Sequence, residues 1–289
     1  MADPSPLAWF NGRLVESEEA GPSVASHTLH YGVGVFDGLM AYWNEDHYHL
    51  HFGSAHLERF TLSCERLGLI LEWTADQLEE GVRALLAVLP ATDYYIRPIT
   101  FRSGPQLALT GPGDHLPADL AIFALPVPRD VDTSLTCHIS PIERMPASAI
   151  PVTWKVCAVY ANSYLARRTA ELAGFDDGLM LDRYGRICEA SAANVFFLTE
   201  DGIITPALTP EIFPGITRAF LLEAARELGM PVAEREVFPS ELKELEGAFL
   251  ASTLMEMKPL RAIGELAYGS AEHPVFRRLL REFRTATRR

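Results

Sequence analysis

Pro151-Val-Thr-Trp-Lys-Val-Cys-Ala-Val-Tyr160 sets one lysine, Lys155, among apolar and aromatic neighbours in a chain that nearly lacks this residue. Of its 25 lysines and arginines, only Lys155, Lys243 and Lys258 are lysines. Lys243 lies in the acidic stretch Glu241-Leu-Lys-Glu-Leu-Glu246, and Lys258 precedes Pro259 at the end of an apolar run. Arginine is not deprotonated in a protein, so a reaction that needs a neutral amine must draw on lysine. Desolvation lowers a lysine pKa and makes the amine a nucleophile of the kind that forms Schiff bases. Rarity alone does not assign that chemistry, because an arginine-rich composition also leaves stray lysines at the surface.

The bulk properties set the frame around Lys155. A chain of 289 residues suits two α/β domains better than a single core. A hydrophobic content of 48% and a mean hydropathy of +0.06 describe a folded globular protein. A formal charge of −13 and a pI near 5.1 exclude the basic surface that non-specific nucleic-acid binding needs. They leave small anionic substrates open, since one local arginine overrides the global sign. The four cysteines, Cys64, Cys137, Cys157 and Cys188, show no CxxC spacing, so a zinc cluster is not indicated and a reduced, cytoplasmic setting is expected. The opening Met-Ala-Asp-Pro-Ser-Pro lacks the basic and apolar regions of a secretory signal, and no apolar run reaches the length of a membrane span.

Outward from Lys155, strands and helices alternate. Strands are expected at Leu7–Phe10, Arg13–Val15, Tyr94–Arg102, Leu120–Leu125, Leu135–Ser140, Gly178–Asp182, Asn194–Leu198 and Ala248–Thr253. Helices are expected from Ser54, as N-cap, to Gly68, and at Ala75–Leu89, Ala161–Ala173, Thr217–Leu228 and from Pro274 onward. Pro126-Val-Pro-Arg-Asp-Val-Asp132 breaks the pattern. The chain therefore reads as α/β (α+β), with a small N-terminal domain at 1–127, a linker at 128–135 and a larger C-terminal domain at 136–289.

Three features could carry chemistry, each with an ordinary structural alternative. Phe213-Pro-Gly-Ile-Thr-Arg218 opens a helix at whose N-terminus Ile216 and Thr217 offer N–H groups, and Thr217 adds a hydroxyl; that is a cup for a phosphate, or simply a capped helix. Glu189, among small residues in Ile187-Cys-Glu-Ala-Ser191, has little room for exposure and needs a cationic partner: a protonated pyridine nitrogen, or one of the many arginines. Arg59, in His56-Leu-Glu-Arg-Phe60, could meet a phosphate bidentately or serve structure. His47, His49 and His51 would share one face of a strand, but no carboxylate–histidine pattern joins them, so no metal is assigned. Gly32-Val-Gly-Val-Phe-Asp-Gly38 has the wrong spacing for a dinucleotide fingerprint, and neither GxSxG nor HExxH occurs.

Taken in order, these pieces resemble the fold-type IV pyridoxal-phosphate enzymes, and among them the branched-chain amino acid aminotransferases. The similarity runs from about Trp9 to Leu260. It rests on His27-Thr-Leu-His-Tyr-Gly-Val-Gly-Val-Phe-Asp-Gly38, His56-Leu-Glu-Arg59, Tyr95-Ile-Arg-Pro98, Lys155, Tyr160, Glu189, Asn194, Pro214-Gly-Ile-Thr-Arg218 and Ala251-Ser-Thr253. The resemblance implies a two-domain architecture with its active site between the domains. It implies that Lys155 binds pyridoxal 5'-phosphate covalently and shuttles a proton. Tyr160 would then hydrogen-bond the phenolic oxygen of the cofactor, and Glu189 would pair with its ring nitrogen. Arg59, Ile216, Thr217 and Thr253 would hold its phosphate. Tyr31, Phe36, Tyr95, Arg97 and Leu254 would line the substrate pocket, with Tyr31 presented by the second subunit of a homodimer. The implied reaction is transamination between an amino acid, L-branched-chain or otherwise apolar, and a 2-oxo acid such as 2-oxoglutarate, with no nucleic-acid or membrane partner.

The chain departs from that pattern where substrate is expected. A usual Phe-Glu-Gly-Ile-Arg reads Phe36-Asp-Gly-Leu-Met40, Val159 stands where asparagine is usual, Leu254-Met255 replaces small residues, and Gln106-Leu-Ala-Leu-Thr-Gly111 lacks a Gly-rich pattern. An amine or D-amino acid transaminase, an aminodeoxychorismate-lyase-like enzyme and a non-catalytic cofactor-binding homologue therefore stay open as alternatives.

Overall fold

A computed structural model describes residues 3–102, 118–128 and 133–287; the Gln106–Gly111 loop lies outside them. The chain divides into two compact units, residues 1–129 with 154–158, and residues 130–153 with 159–289. Lys155 belongs to the first, although it follows residues 130–153 of the second.

The first unit contains β1 (Leu7–Phe10), β2 (Arg13–Glu16), α1 (His27–Tyr31), β3 (Gly34–Phe36), β4 (Leu39–Asn44), β5 (His47–His51), α2 (Gly53–Arg66), α3 (Ala75–Leu86), β6 (Tyr94–Arg102) and β7 (Ala118–Pro126). Its antiparallel sheet runs β2-β1-β7-β6-β4-β5, with β3 also paired to β6. Alternation divides the sheet residues. Leu39, Ala41, Tyr94, Ile96, Leu120, Ile122 and Ala124 join Leu57, Phe60, Leu78, Val82 and Leu85 of α2 and α3 in one core. Met40, Tyr95 and Arg97 lie on the opposite face, Met40 paired across the sheet with both His51 and Tyr95. The α2 helix starts one residue before the expected cap. Phe52, in the left-handed region at φ 52°, makes the turn out of β5. At α3, Thr74 and Gln77 form a reciprocal capping box.

The second unit contains β8 (Leu135–Ile139), α4 (Tyr160–Leu172), β9 (Asp177–Leu181), β10 (Ile187–Ala190), β11 (Asn194–Leu198), β12 (Ile203–Pro206), α5 (Ile216–Glu227), β13 (Val232–Arg235), β14 (Gly247–Ser252), β15 (Glu256–Ile263), β16 (Leu266–Ala267) and α6 (Pro274–Thr287). Its mixed sheet runs β10-β9-β8-β15-β14-β11-β12-β13, with β16 beside β15. The pairs β8–β9, β8–β15 and β12–β13 are parallel. Phe196, Phe249 and Met257 pack on one face with Leu221, Phe276 and Phe283 of α5 and α6, while Val195, Phe197 and Leu250 fill a second core on the other. Burial on both faces explains the continuous apolar runs at Asn194–Leu198 and Gly247–Ser252. No helix among the described residues is long and apolar enough to cross a membrane.

Candidate active site

In the first unit Lys155 sits on a short segment held against β3. The Phe36 N–H donates to the Lys155 carbonyl at 3.3 Å, and Val35 and Val156 form an antiparallel bridge. Lys155 itself takes φ 52°, a left-handed conformation that costs a side-chain-bearing residue about 1–2 kcal/mol. Its Nζ stands 5.3 Å from the centroid of the Phe36 ring, and the Arg97 guanidinium lies 4.7 Å from the same ring. Lys155, Phe36, Tyr95 and Arg97, expected from the sequence to share a site, are thus gathered within one unit. Arg97 donates from Nη2 to the Tyr95 hydroxyl at 3.1 Å. That hydroxyl occupies the space left by Gly38, where a Cβ would lie only 1.9 Å from Tyr95 Oη. Near Lys155, burial pushes the Cys157 thiol up to about 11, with Arg97 opposing. Tyr31 ends α1 and is 40% exposed; the residue after it, Gly32, packs against Ala158 of the Lys155 segment, where a Cβ would lie 2.6 Å from Ala158 Cβ.

Arg59 is not solitary. From Nε it donates to Asp37 Oδ2 at 2.7 Å, and from Nη2 to Asp37 Oδ1 at 2.8 Å. His56, one helical turn before Arg59, places Nδ1 2.9 Å from Asp37 Oδ1, and the Gly38 N–H donates to the same oxygen at 2.7 Å. The Asp37 side chain is fully buried. Burial alone would raise its pKa, but Arg59, His56 and Lys155 together hold it below the usual carboxylate range. Asp37 and His56 join Arg59 in this buried cluster, and the sequence does not single them out. The available signal was the His56/Arg59 spacing, which puts both side chains on one face of a helix, with an acidic residue inside the apolar Val35–Met40 run.

In the second unit Glu189 is buried with an arginine, as one of its two sequence alternatives had it. Arg144 Nη2 lies 2.7 Å from Glu189 Oε1, and the two side chains are 4% and 6% exposed. Asn194 donates from Nδ2 to Glu189 Oε2 at 3.1 Å and to the Phe213 carbonyl at 2.9 Å, and the Phe213 N–H reaches both carboxylate oxygens at 3.3 Å. Arg144 comes from a Pro/Ala/Ser-rich loop where no sequence pattern marks it. This cluster draws the start of α5 close to Asn194: a Cβ on Gly215 would lie 2.2 Å from Asn194 Oδ1. The helix then begins at Ile216 with Gly215 as its N-cap and no side chain capping it, and Thr217 is buried. Arg218 serves structure, bonding the Pro206 carbonyl and Glu234. Tyr160 opens α4, and Thr253, Leu254 and Met255 form the turn between the paired residues Ser252 and Glu256.

Along β5, His49 Nε2 lies 3.4 Å from His51 Nδ1, yet no group of three His, Cys, Asp or Glu side chains among the described residues is arranged to hold a metal.

The sequence pattern of the class IV amino-transferases matches residues 34–263. The chain belongs to that family. It is 33% identical over 283 residues to a probable branched-chain-amino-acid aminotransferase of Aquifex aeolicus, spanning 96% of this chain and 90% of that protein. Among solved structures it is similar to the branched-chain aminotransferase of Thermoproteus uzoniensis crystallised with norvaline, with TM-score 0.90, 32% identity and coverage of 96% of this chain and 93% of that one. The branched-chain amino acid aminotransferase of Thermobaculum terrenum, in its PLP-bound holo form, gives TM-score 0.90 at 29% identity, covering 100% of this chain and 96% of that one. The fold-type IV resemblance read from the sequence is therefore upheld by both sequence and structure, and this aminotransferase is an enzyme of mixed α and β architecture.

Proposed function

We propose that this aminotransferase exchanges an amino group between a branched-chain or other apolar L-amino acid and a 2-oxo acid such as 2-oxoglutarate, with pyridoxal 5'-phosphate as cofactor. The observation that carries the reading is the backbone of Lys155: a non-glycine residue strained into the left-handed region and pinned by pairing to β3. Such strain persists only where surrounding structure over-determines it, here the pairing of the Lys155 segment to β3 beside Phe36 and Arg97.

The residues suit this cofactor. A helix start with no side-chain cap and a partly exposed arginine on α2 are donors of the kind a phosphate takes, and a buried carboxylate ringed by donors suits a ring nitrogen. When bound, the cofactor supplies an electron sink for charge developing at the amino acid Cα. The chain's own groups do the rest. Lys155 anchors the cofactor through Nζ and moves the proton at Cα. Glu189, braced by Arg144 and Asn194, pairs with the ring nitrogen, and Tyr160 hydrogen-bonds the phenolic oxygen. Arg59, Ile216, Thr217 and Thr253 hold the phosphate. Tyr95 and Arg97, with Phe36, Leu254 and Tyr31, receive substrate; a paired arginine and tyrosine read a carboxylate, while buried Met40 and Phe36 favour an apolar side chain.

A homodimer is part of the proposal, since Val24, Leu29 and Tyr31 are large apolar or aromatic side chains 81%, 66% and 40% exposed that a second copy would cover. A cytoplasmic setting is supported by four free cysteines. The test is borohydride reduction of the cofactor-loaded protein, then peptide mass mapping, with a panel of L-leucine, D-alanine and 1-phenylethylamine. The adduct is expected on Lys155, and Lys155→Ala is expected to lose turnover of L-leucine. Retained turnover in K155A, or wild-type turnover of 1-phenylethylamine alone, overturns the reading.

A further inference from the structure

Asp37 has no assigned part in the reaction, yet it is buried and held from three sides. Arg59 grips it through two bonds, His56 braces Oδ1, and its own strand end contributes the Gly38 N–H. Its side chain is wholly out of solvent, while that of Arg59 is 16% exposed. A guanidinium is a planar fork of five N–H donors. Here the Nε side of the fork is committed to a carboxylate that is wholly buried and itself held by His56 and the Gly38 N–H. The plane in which Arg59 meets an anion is thereby set by Asp37, with His56 Nδ1 also 3.2 Å from Nη2. An arginine side chain left free to rotate would lose rotamer entropy when an anion binds it.

We infer that Asp37 is a positioning residue that sets the plane of the Arg59 guanidinium, and so its affinity for the cofactor phosphate. This rests on the transaminase reading above. The opposing effect is plain: Asp37 also cancels the charge of Arg59, so its removal adds net attraction for a dianion. Orientation outweighs that gain, because two parallel N–H bonds to a phosphate depend on geometry, whereas the added charge acts at a partly exposed group and is screened.

The test compares equilibrium binding of pyridoxal 5'-phosphate with that of pyridoxal, which lacks the phosphate, in full-length wild type, Asp37→Asn and Arg59→Gln. Loss of an aligned charge-assisted bond corresponds to about tenfold or more in affinity. Asp37→Asn is expected to weaken pyridoxal 5'-phosphate by about that factor and to leave pyridoxal unchanged. Should D37N fail to fold, the double variant D37N/R59Q removes both charges together. It is expected to match R59Q in the ratio of the two affinities, since Asp37 acts only through Arg59. Equal loss of both ligands, unchanged or tighter phosphate-dependent binding in D37N, or a further fall in ratio from R59Q to the double variant, each overturns the assignment. A wild-type protein that takes up no pyridoxal 5'-phosphate on Lys155 overturns the transaminase reading instead, so the two failures are distinct.

Discussion

Gly38→Ala is expected to disturb substrate recognition and stability together, and the structure fixes the size of the effect. A Cβ on residue 38 would lie 1.9 Å from Tyr95 Oη, 2.3 Å from Cζ and 2.5 Å from Cε2. Favourable contact between such atoms begins at about 3.5 Å, so the ring edge must retreat by roughly 1.5 Å. The ring is rigid and only 6% exposed, so its retreat carries the hydroxyl away from Arg97. Overpacking of this kind costs about 1–3 kcal/mol, and loss of a hydrogen bond from a charged donor about 1.5–3 kcal/mol. The lower backbone entropy of unfolded alanine returns about 0.4–1 kcal/mol. Gly38 is not among the positive-φ glycines, so alanine adds no backbone strain. The net expectation is a loss of about 1.5–5.5 kcal/mol. Differential scanning calorimetry of G38A, Y95A and the double variant supplies the check. Y95A removes the ring that alanine strikes, so the cycle should show a coupling of about 2 kcal/mol. In the enzyme assay, KM for L-leucine should rise about tenfold in G38A through displacement of Tyr95 and Arg97. A G38A protein within about 0.5 kcal/mol of wild type, or an additive cycle, refutes the packing account.

Two further expectations concern buried charge. Arg144→Met leaves Glu189 without its cation and should cost about 3–5 kcal/mol in urea denaturation of the cofactor-free protein, with much of it recovered in R144M/E189Q; a loss below about 1 kcal/mol would contradict the pairing. His51 is pushed down to about 4 by burial, then by the neighbouring His49 and His56, from an ordinary value of 6.5. The folded ring stays neutral while the unfolded ring takes up a proton, so this contribution is complete below pH 4 as a penalty and absent above pH 6.5: stability falls as pH drops through that window, by up to about 3 kcal/mol. His51→Phe should flatten the stability profile across that window, and an unaltered slope would show that the acid sensitivity lies elsewhere.

Local chemistry made most elements legible. Tyr94–Arg102 and Asn194–Leu198 occur with the expected ends, because alternation or an unbroken apolar run is bounded by turn residues. Gly174 and Gly229 end helices close to where they were expected to. β15 escaped notice because Pro259 argues against a strand, yet the residue is held opposite Phe249 of β14, next to an irregularity in the pairing with β8. β3, β5, β10, β12, β13 and β16 are short, between two and five residues, too brief for periodicity to declare.

The class of chemistry is written in the residue order: a rare lysine, a Pro-Gly-Ile-Thr helix start, a hemmed-in glutamate and an arginine on a helix. What the sequence by itself could not determine is which charges meet. Arg59 and Asp37 are 22 residues apart, and Arg144 and Glu189 are 45 apart on unrelated elements. No periodicity links such positions, because an ion pair between distant segments is chosen by strand order and loop closure, not by local preference. The tertiary structure also decided that Lys155 is carried by the first unit, its strained backbone bonded to Phe36. Spacing along the chain registers residue order and local turn chemistry, whereas burial and pairing are consequences of how the sheets close.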